Sequence, residues 1–324
     1  MKKSLAFLLL AAAFVLGGCS IERDDMMVLF PGGSKDLMQI GETKCPLSYA
    51  KVFLANYQNI YGEAYGIDLW THESPDFELG DYVKETAVSN LARIISMDEL
   101  AAEQGITTGD AEEEKAKKAA EEYYDSLSPE EIEWIGISKE ELTDLYLRYA
   151  LAEKLYQSLT RDVNREISED EARVMTIQEI YTTDSAAAAA IVTALADGTD
   201  FATLAAQYTE NAQVERNIKR GDLPAQVEEA AYALDSDGIS PMVETEGGWY
   251  FIKCINKNVE DLTAENKLVI EQNREKEASD DVYDKFVSDL SSSLNEDLYN
   301  SIELQTDGSI TTDSFFSVYE KNFE

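Results

Sequence analysis

Apolar positions along this chain follow two different periods, and the change between them divides it. From Pro46 to Thr160 they recur every three or four residues, as in Val88, Leu91 and Ile95, then Leu142, Leu145, Tyr149, Ala152, Tyr156 and Leu159, which is the spacing of one helix face. The punctuation agrees. Pro46 suits a first helical turn, Gly105 and Thr107-Thr108-Gly109-Asp110 mark a stop and a restart, and Ser138 with Glu141 makes a capping box. Between Ile167 and Asn258 the elements shorten. Val174 to Tyr181 predicts a strand, Asp184 to Ala196 an alanine-rich helix stopped by Gly198, and Gly247 to Cys254 an aromatic-rich strand. From Thr263 to Asn295 helical, charge-laced sequence returns, with Val269, Val282, Phe286 and Leu290 as its apolar members. The order predicts an α+β fold in which a mainly helical, discontinuous domain (26–167 and 259–324) carries an inserted α+β module (168–258).

The chain opens with Met1-Lys2-Lys3 and an apolar run from Leu5 to Leu16, the layout of a secretory signal and too short for a mature membrane span. Leu16-Gly17-Gly18-Cys19 resembles a lipobox, whose cysteine accepts diacylglycerol before the signal is cut. Residues 1–18 are therefore expected to be removed, Cys19 to be lipidated, and 19–25 to serve as a polar tether to the outer side of the cell membrane. With 64 acidic against 27 basic residues the net charge is -37. Such a surface repels phosphate, which argues against nucleic acid and anionic lipid headgroups and favours basic, unfolded polypeptides. Cys45 and Cys254 are too few for a disulfide scaffold and lack zinc-site spacing. The single histidine, His72, has no second histidine beside it, so no metal is expected, and no cofactor motif is present.

Within the module, Phe201-Ala202-Thr203-Leu204-Ala205-Ala206-Gln207-Tyr208-Thr209, Gly221-Asp222-Leu223, Ala230 to Leu234, Gly238-Ile239-Ser240-Pro241-Met242-Val243 and Gly248 to Lys253 follow one another in a recognisable order. This ordered set resembles the parvulin type of peptidyl-prolyl isomerase domain. The wider layout is similar to PrsA-like and SurA-like extracytoplasmic foldases. The resemblance implies rotation about the bond preceding proline, whose barrier is about 18–20 kcal/mol, without covalent chemistry. Parvulins use two facing histidines, a cysteine or aspartate beside them, and a methionine and phenylalanine around the proline ring. Carried over position by position, these fall on Gln178 and Tyr250, on Asn211, and on Leu223 and Val227. Both histidines are absent. The resemblance thus implies a client-binding groove at Gln178, Leu223, Val227 and Tyr250, with isomerase activity weak or lost. The alternative is an active isomerase with a rearranged pocket.

Two short motifs invite other readings. Arg220-Gly221-Asp222 matches an adhesion tripeptide but falls on the parvulin glycine turn, and Asp235-Ser236-Asp237-Gly238 lacks the ligands of a calcium loop and reads as a turn into a strand at Ile239.

Overall fold

The structure, a computed structural model, describes residues 34–65, 79–305 and 307–323. The expected signal peptide, Cys19, the 19–25 tether and His72 lie outside the described residues. The chain forms two compact units, one built from residues up to Asp162 together with those from Lys276 onward, the other from Val163–Glu275.

The first unit starts with a hairpin of β1 (Asp36–Ile40) and β2 (Thr43–Pro46), turned at Gly41 in the left-handed region at φ 56°. Pro46 closes β2 rather than opening the first helix, α1 (Leu47–Tyr65). After α2 (Leu79–Glu103) the chain turns at Gly105 (φ 70°) and restarts as α3 (Asp110–Ser126), where the Glu112 carboxylate accepts from Gly109 N at 2.9 Å. The short α4 (Pro129–Ile135) and the long α5 (Lys139–Thr160) both begin with reciprocal capping boxes, Ser128 with Glu131 and Ser138 with Glu141. Each satisfies donors that a helix start leaves unpaired. Along α5 the predicted stripe faces the core: Leu142, Leu145 and Ala152 are buried, and Tyr149, Tyr156 and Leu159 pack at its margin.

In the second unit the turn α6 (Glu169–Ala172) leads to β3 (Met175–Thr182), α7 (Ser185–Ala196), α8 (Phe201–Tyr208), β4 (Glu215–Ile218), α9 (Ala225–Tyr232), β5 (Val243–Thr245) and β6 (Gly248–Asn256). The strands form one antiparallel sheet in the order β4-β3-β6-β5. Successive strand side chains point to opposite faces, and each face has its own core. Met175, Ile177, Ile252 and Cys254 pack with α9 on one side; Ile180 and Phe251 pack with α7 and α8 on the other. The strand expected at Ile239 shrinks to a single bridge with Lys253, because Asp235 to Gly238 form a tight turn with Asp237 at φ 66°. Arg220-Gly221-Asp222 is likewise locked in a turn: Gly221 N donates to Glu228 at 2.6 Å, and the Arg220 guanidinium pairs with Asp170 and lies over the Tyr232 ring at 3.8 Å.

The unit is closed by the start of α10 (Glu260–Val287). Thr263 Oγ1 accepts from Val174 N at 3.0 Å, and Asn266 Nδ2 donates to the Ala172 carbonyl at 2.9 Å.

Beyond α10 the chain completes the first unit. The helical pattern predicted up to Asn295 ends early, and Ser292–Leu294 instead form β7, which pairs antiparallel with β1 in the sheet order β2-β1-β7. The short α11 (Glu296–Asn300) and the terminal α12 (Phe315–Phe323) follow. The mainly helical domain is therefore discontinuous, as the pattern predicted. Its returning segment is held by the buried Glu131 carboxylate, which accepts from Thr311 N at 2.8 Å and Thr312 N at 2.9 Å. The two cysteines are free and buried, Cys45 in this core and Cys254 in the module.

A partly buried charged cluster around Asp98 has a pH consequence. Arg148 pairs with Asp98 at 3.0 Å and with Asp144 at 2.6 Å, yet Asp98 Oδ1 has no partner and burial outweighs the arginine, raising the Asp98 carboxyl to about 7. A folded-state pKa above the unfolded value of about 4 means that the native protein holds a proton the unfolded chain has released, so stability falls as pH rises from about 4 to about 7. Asp98→Asn is expected to flatten that part of the pH profile in urea melts compared at about pH 5 and about pH 8. An unchanged slope would mean that Asp98 is ionised throughout.

Candidate functional site

Strand alternation decides which side chains can meet. On β3, Glu179 and Tyr181 share a face with Met175 and Ile177, whereas Gln178 shares the opposite face with Ile180. On β6, Tyr250 sits with Ile252 and Cys254. Gln178 is thus on the wrong side of the sheet to meet Tyr250, and its Nε2 instead donates to Glu215 on β4 at 2.9 Å. The expected Gln178 and Tyr250 pairing is not formed; a shift of one residue along a strand turns a side chain to the other face.

The polar group on Tyr250's face is Glu179. It is 3% exposed and holds three donors: Asn211 Nδ2 at 2.7 Å, and Arg216 Nη2 at 2.9 Å and Nε at 3.3 Å. Asn211, named from the sequence, reaches Glu179 from the turn after α8, where its own N–H donates to Thr209 Oγ1 at 3.3 Å. Arg216 is 31% exposed, so the pair is a buried carboxylate held by a partly solvated guanidinium. Tyr250 pairs across the strands with Tyr181, their rings 4.7 Å apart at 40°. Burial, with smaller contributions from Tyr181 and Glu179, raises the Tyr250 phenol above its ordinary value, so it is a neutral hydroxyl at physiological pH.

Leu223 and Val227 are also on this face, but as packing. Leu223 is 8% exposed and Val227 is 0% exposed, both against Met175, Ile177, Ile252 and Cys254. Expected to line a proline slot, they instead fill the module's core: Val227 has no surface left for a ligand ring.

Sequence reasoning missed Glu179, Arg216 and Tyr181. The signal was present in the alternation itself, since Met175, Ile177, Glu179 and Tyr181 occupy one face and only Glu179 places a charge there. Among the described residues no group of histidine, cysteine and carboxylate side chains is arranged to hold a metal. No described helix is long and apolar enough to cross a membrane.

The family profile for the PPIC-type peptidyl-prolyl isomerase domain matches residues 150–266. The chain carries a parvulin-type domain. It is similar to the foldase protein PrsA of Caldanaerobacter subterraneus subsp. tengcongensis, 24% identical over 239 residues that cover 66% of this chain and 73% of that one. It is also similar to the chaperone SurA of Methylobacillus flagellatus, 33% identical over 99 residues, 29% of this chain and 23% of that protein. Among solved structures, the peptidylprolyl isomerase PrsA of Bacillus cereus matches at a TM-score of 0.39 and 19% identity, covering 75% of this chain and 93% of that one. The parvulin-type module is thus related to those of PrsA and SurA foldases.

Proposed function

We propose that this protein is an extracytoplasmic chaperone or foldase that binds unfolded exported polypeptides, and that its parvulin-like module catalyses prolyl isomerisation weakly or not at all. The observation that carries the second part is the Glu179, Asn211 and Arg216 cluster. Isomerisation is accelerated when a pocket favours the twisted amide over the planar one. A carboxylate already engaged by three donors, with Val227 fully buried in the module's core, has little to offer a rotating peptide bond. The binding part is supported by the relatives named above and by the acidic surface, which attracts basic unfolded segments. Lipid on Cys19 would hold the protein where exported chains emerge and raise its effective concentration there.

The purified protein is expected to suppress aggregation of a reduced, unfolded client while leaving the cis-to-trans rate of a short proline peptide within about twofold of the uncatalysed tens of seconds. A strong rate increase that disappears on changing Tyr250 would instead establish an active isomerase. In cells fed labelled fatty acid, the protein is expected to take up the label and Cys19→Ala to lose it; label retained by the variant, or none in the parent, would rule out the lipid anchor on Cys19.

A further inference from the structure

The second unit is joined to the rest of the chain at two points, Asp162 to Val163 and Glu275 to Lys276. The two joints differ in kind. The second lies inside α10, whereas the first opens residues 163–168, which belong to no helix or strand and lead into α6. What fastens this incoming segment to α10 is charge. The Arg165 guanidinium reaches Glu275 at 2.7 Å and Glu271 at 3.5 Å. From the helix, Arg274 Nη1 donates to the carbonyls of Asn164 at 2.9 Å and Glu166 at 3.2 Å, while Nη2 pairs with Glu171. Lys267 adds a pair with Glu169. Lys267, Glu271, Arg274 and Glu275 recur at three and four residue steps, so they lie along one face of the helix.

A fastening of this kind differs from the one that follows it along the chain. Ala172 and Val174 are held to α10 by neutral hydrogen bonds from Asn266 and to Thr263, both buried, and salt does not screen those. The charged groups at 163–171 keep between 20% and 73% of their side-chain surface exposed, so dissolved ions reach every pair. One exposed pair contributes little to holding a chain, and it is the row of pairs together with the Arg274 fork that closes this one. We infer that residues 163–171 form an ionic strap, closed on α10 at low ionic strength and released at high ionic strength while the module beyond Ala172 stays folded. Release frees nine residues at one of the two joints, up to about 30 Å of chain at about 3.3 Å each, and leaves α10 as the ordered connection.

The test is limited cleavage of the full mature protein by a glutamate-specific protease, read by mass spectrometry at the bond between Glu166 and Ile167, whose carbonyl is one of the Arg274 acceptors. Cleavage of a transiently opened segment tracks the population that is open. Dividing each rate by that of a synthetic peptide of residues 160–174 removes the effect of salt on the protease itself. Raising sodium chloride from about 20 mM to about 500 mM shortens the screening length from roughly 20 Å to roughly 4 Å and is expected to speed the normalised cleavage about threefold or more. Arg274→Gln keeps a good helix former on α10 and is expected to be cut about tenfold faster than the parent at low salt, with little further response to salt. Glu275→Gln leaves the strap's own sequence intact and is expected to give about threefold at low salt. Hydrogen exchange in β3 and β6 that matches the parent shows that the module of each variant is folded. Equal normalised rates at the two salt concentrations, or in Arg274→Gln and the parent, would overturn the strap. Faster exchange in β3 and β6 accompanying the cleavage would overturn it too, since the whole module would then be opening.

Discussion

Phe315→Ala is expected to lower the unfolding free energy of the helical unit by about 3–5 kcal/mol, the range for a fully buried phenylalanine cut to alanine. The ring lies flat on Tyr146, with centroids 4.4 Å apart at 8°, and meets Phe316 at 5.2 Å, Tyr123 at 5.5 Å and Phe53 at 5.6 Å. Its backbone is equally engaged: Phe315 N donates to Asn56 Oδ1 at 2.9 Å and its carbonyl accepts from Tyr146 OH at 3.1 Å. The variant would keep these bonds and lose only the ring, so its cost reads the packing that α12 contributes. Urea unfolding followed by circular dichroism gives the value. A loss below about 1 kcal/mol, the level of an ordinary surface change, would mean that α12 is docked far more loosely than the stacking indicates.

Arg216→Met should have the next largest effect, in the module. Removing one partner of a buried ion pair costs about 3–5 kcal/mol when both are sequestered. Arg216 is 31% exposed, so water can take over part of its role, and about 2–3 kcal/mol is the expected loss. Without the guanidinium the buried Glu179 carboxylate keeps only Asn211 as a donor. Chemical unfolding at neutral pH gives the value, and a loss below about 1 kcal/mol, the level of an ordinary surface change, would mean that the pair contributes little to the module's stability. Glu179→Gln in the same background should recover part of the neutral-pH loss, since a neutral amide costs less to bury alone.

What the sequence made legible was whatever is encoded locally. Ser138 and Glu141 cap α5 because both partners lie within one turn, and Leu142 to Leu159 face inward because their spacing repeats every turn. The inserted module was legible for a similar reason: alternation in Val174 to Tyr181 and in Gly247 to Cys254 needs no knowledge of distant residues. The small sheet of the first unit was not. Ser292–Leu294 carry little strand preference of their own and are extended because the free edge of β1 supplies hydrogen-bond partners, with Met38 opposite Leu294. The site failed more narrowly. Gln178 and Glu179 are neighbours, both polar, and only the burial of Met175 and Ile177 says which of them faces Tyr250.

The pairing of β1 with β7 also fixes an order of events. A polypeptide that emerges N-terminus first presents Asp36–Ile40 and the helices up to Thr160 long before Ser292–Leu294 and Phe315 appear. The module's strands and its own two small cores lie within one continuous stretch, so it can finish as soon as the first turns of α10 have appeared. The helical unit must instead wait, half-built and with Phe53 and Tyr146 lacking their terminal partner, until its last residues arrive. The helical unit thus passes through an unfinished state, and the last nine-residue helix ends it.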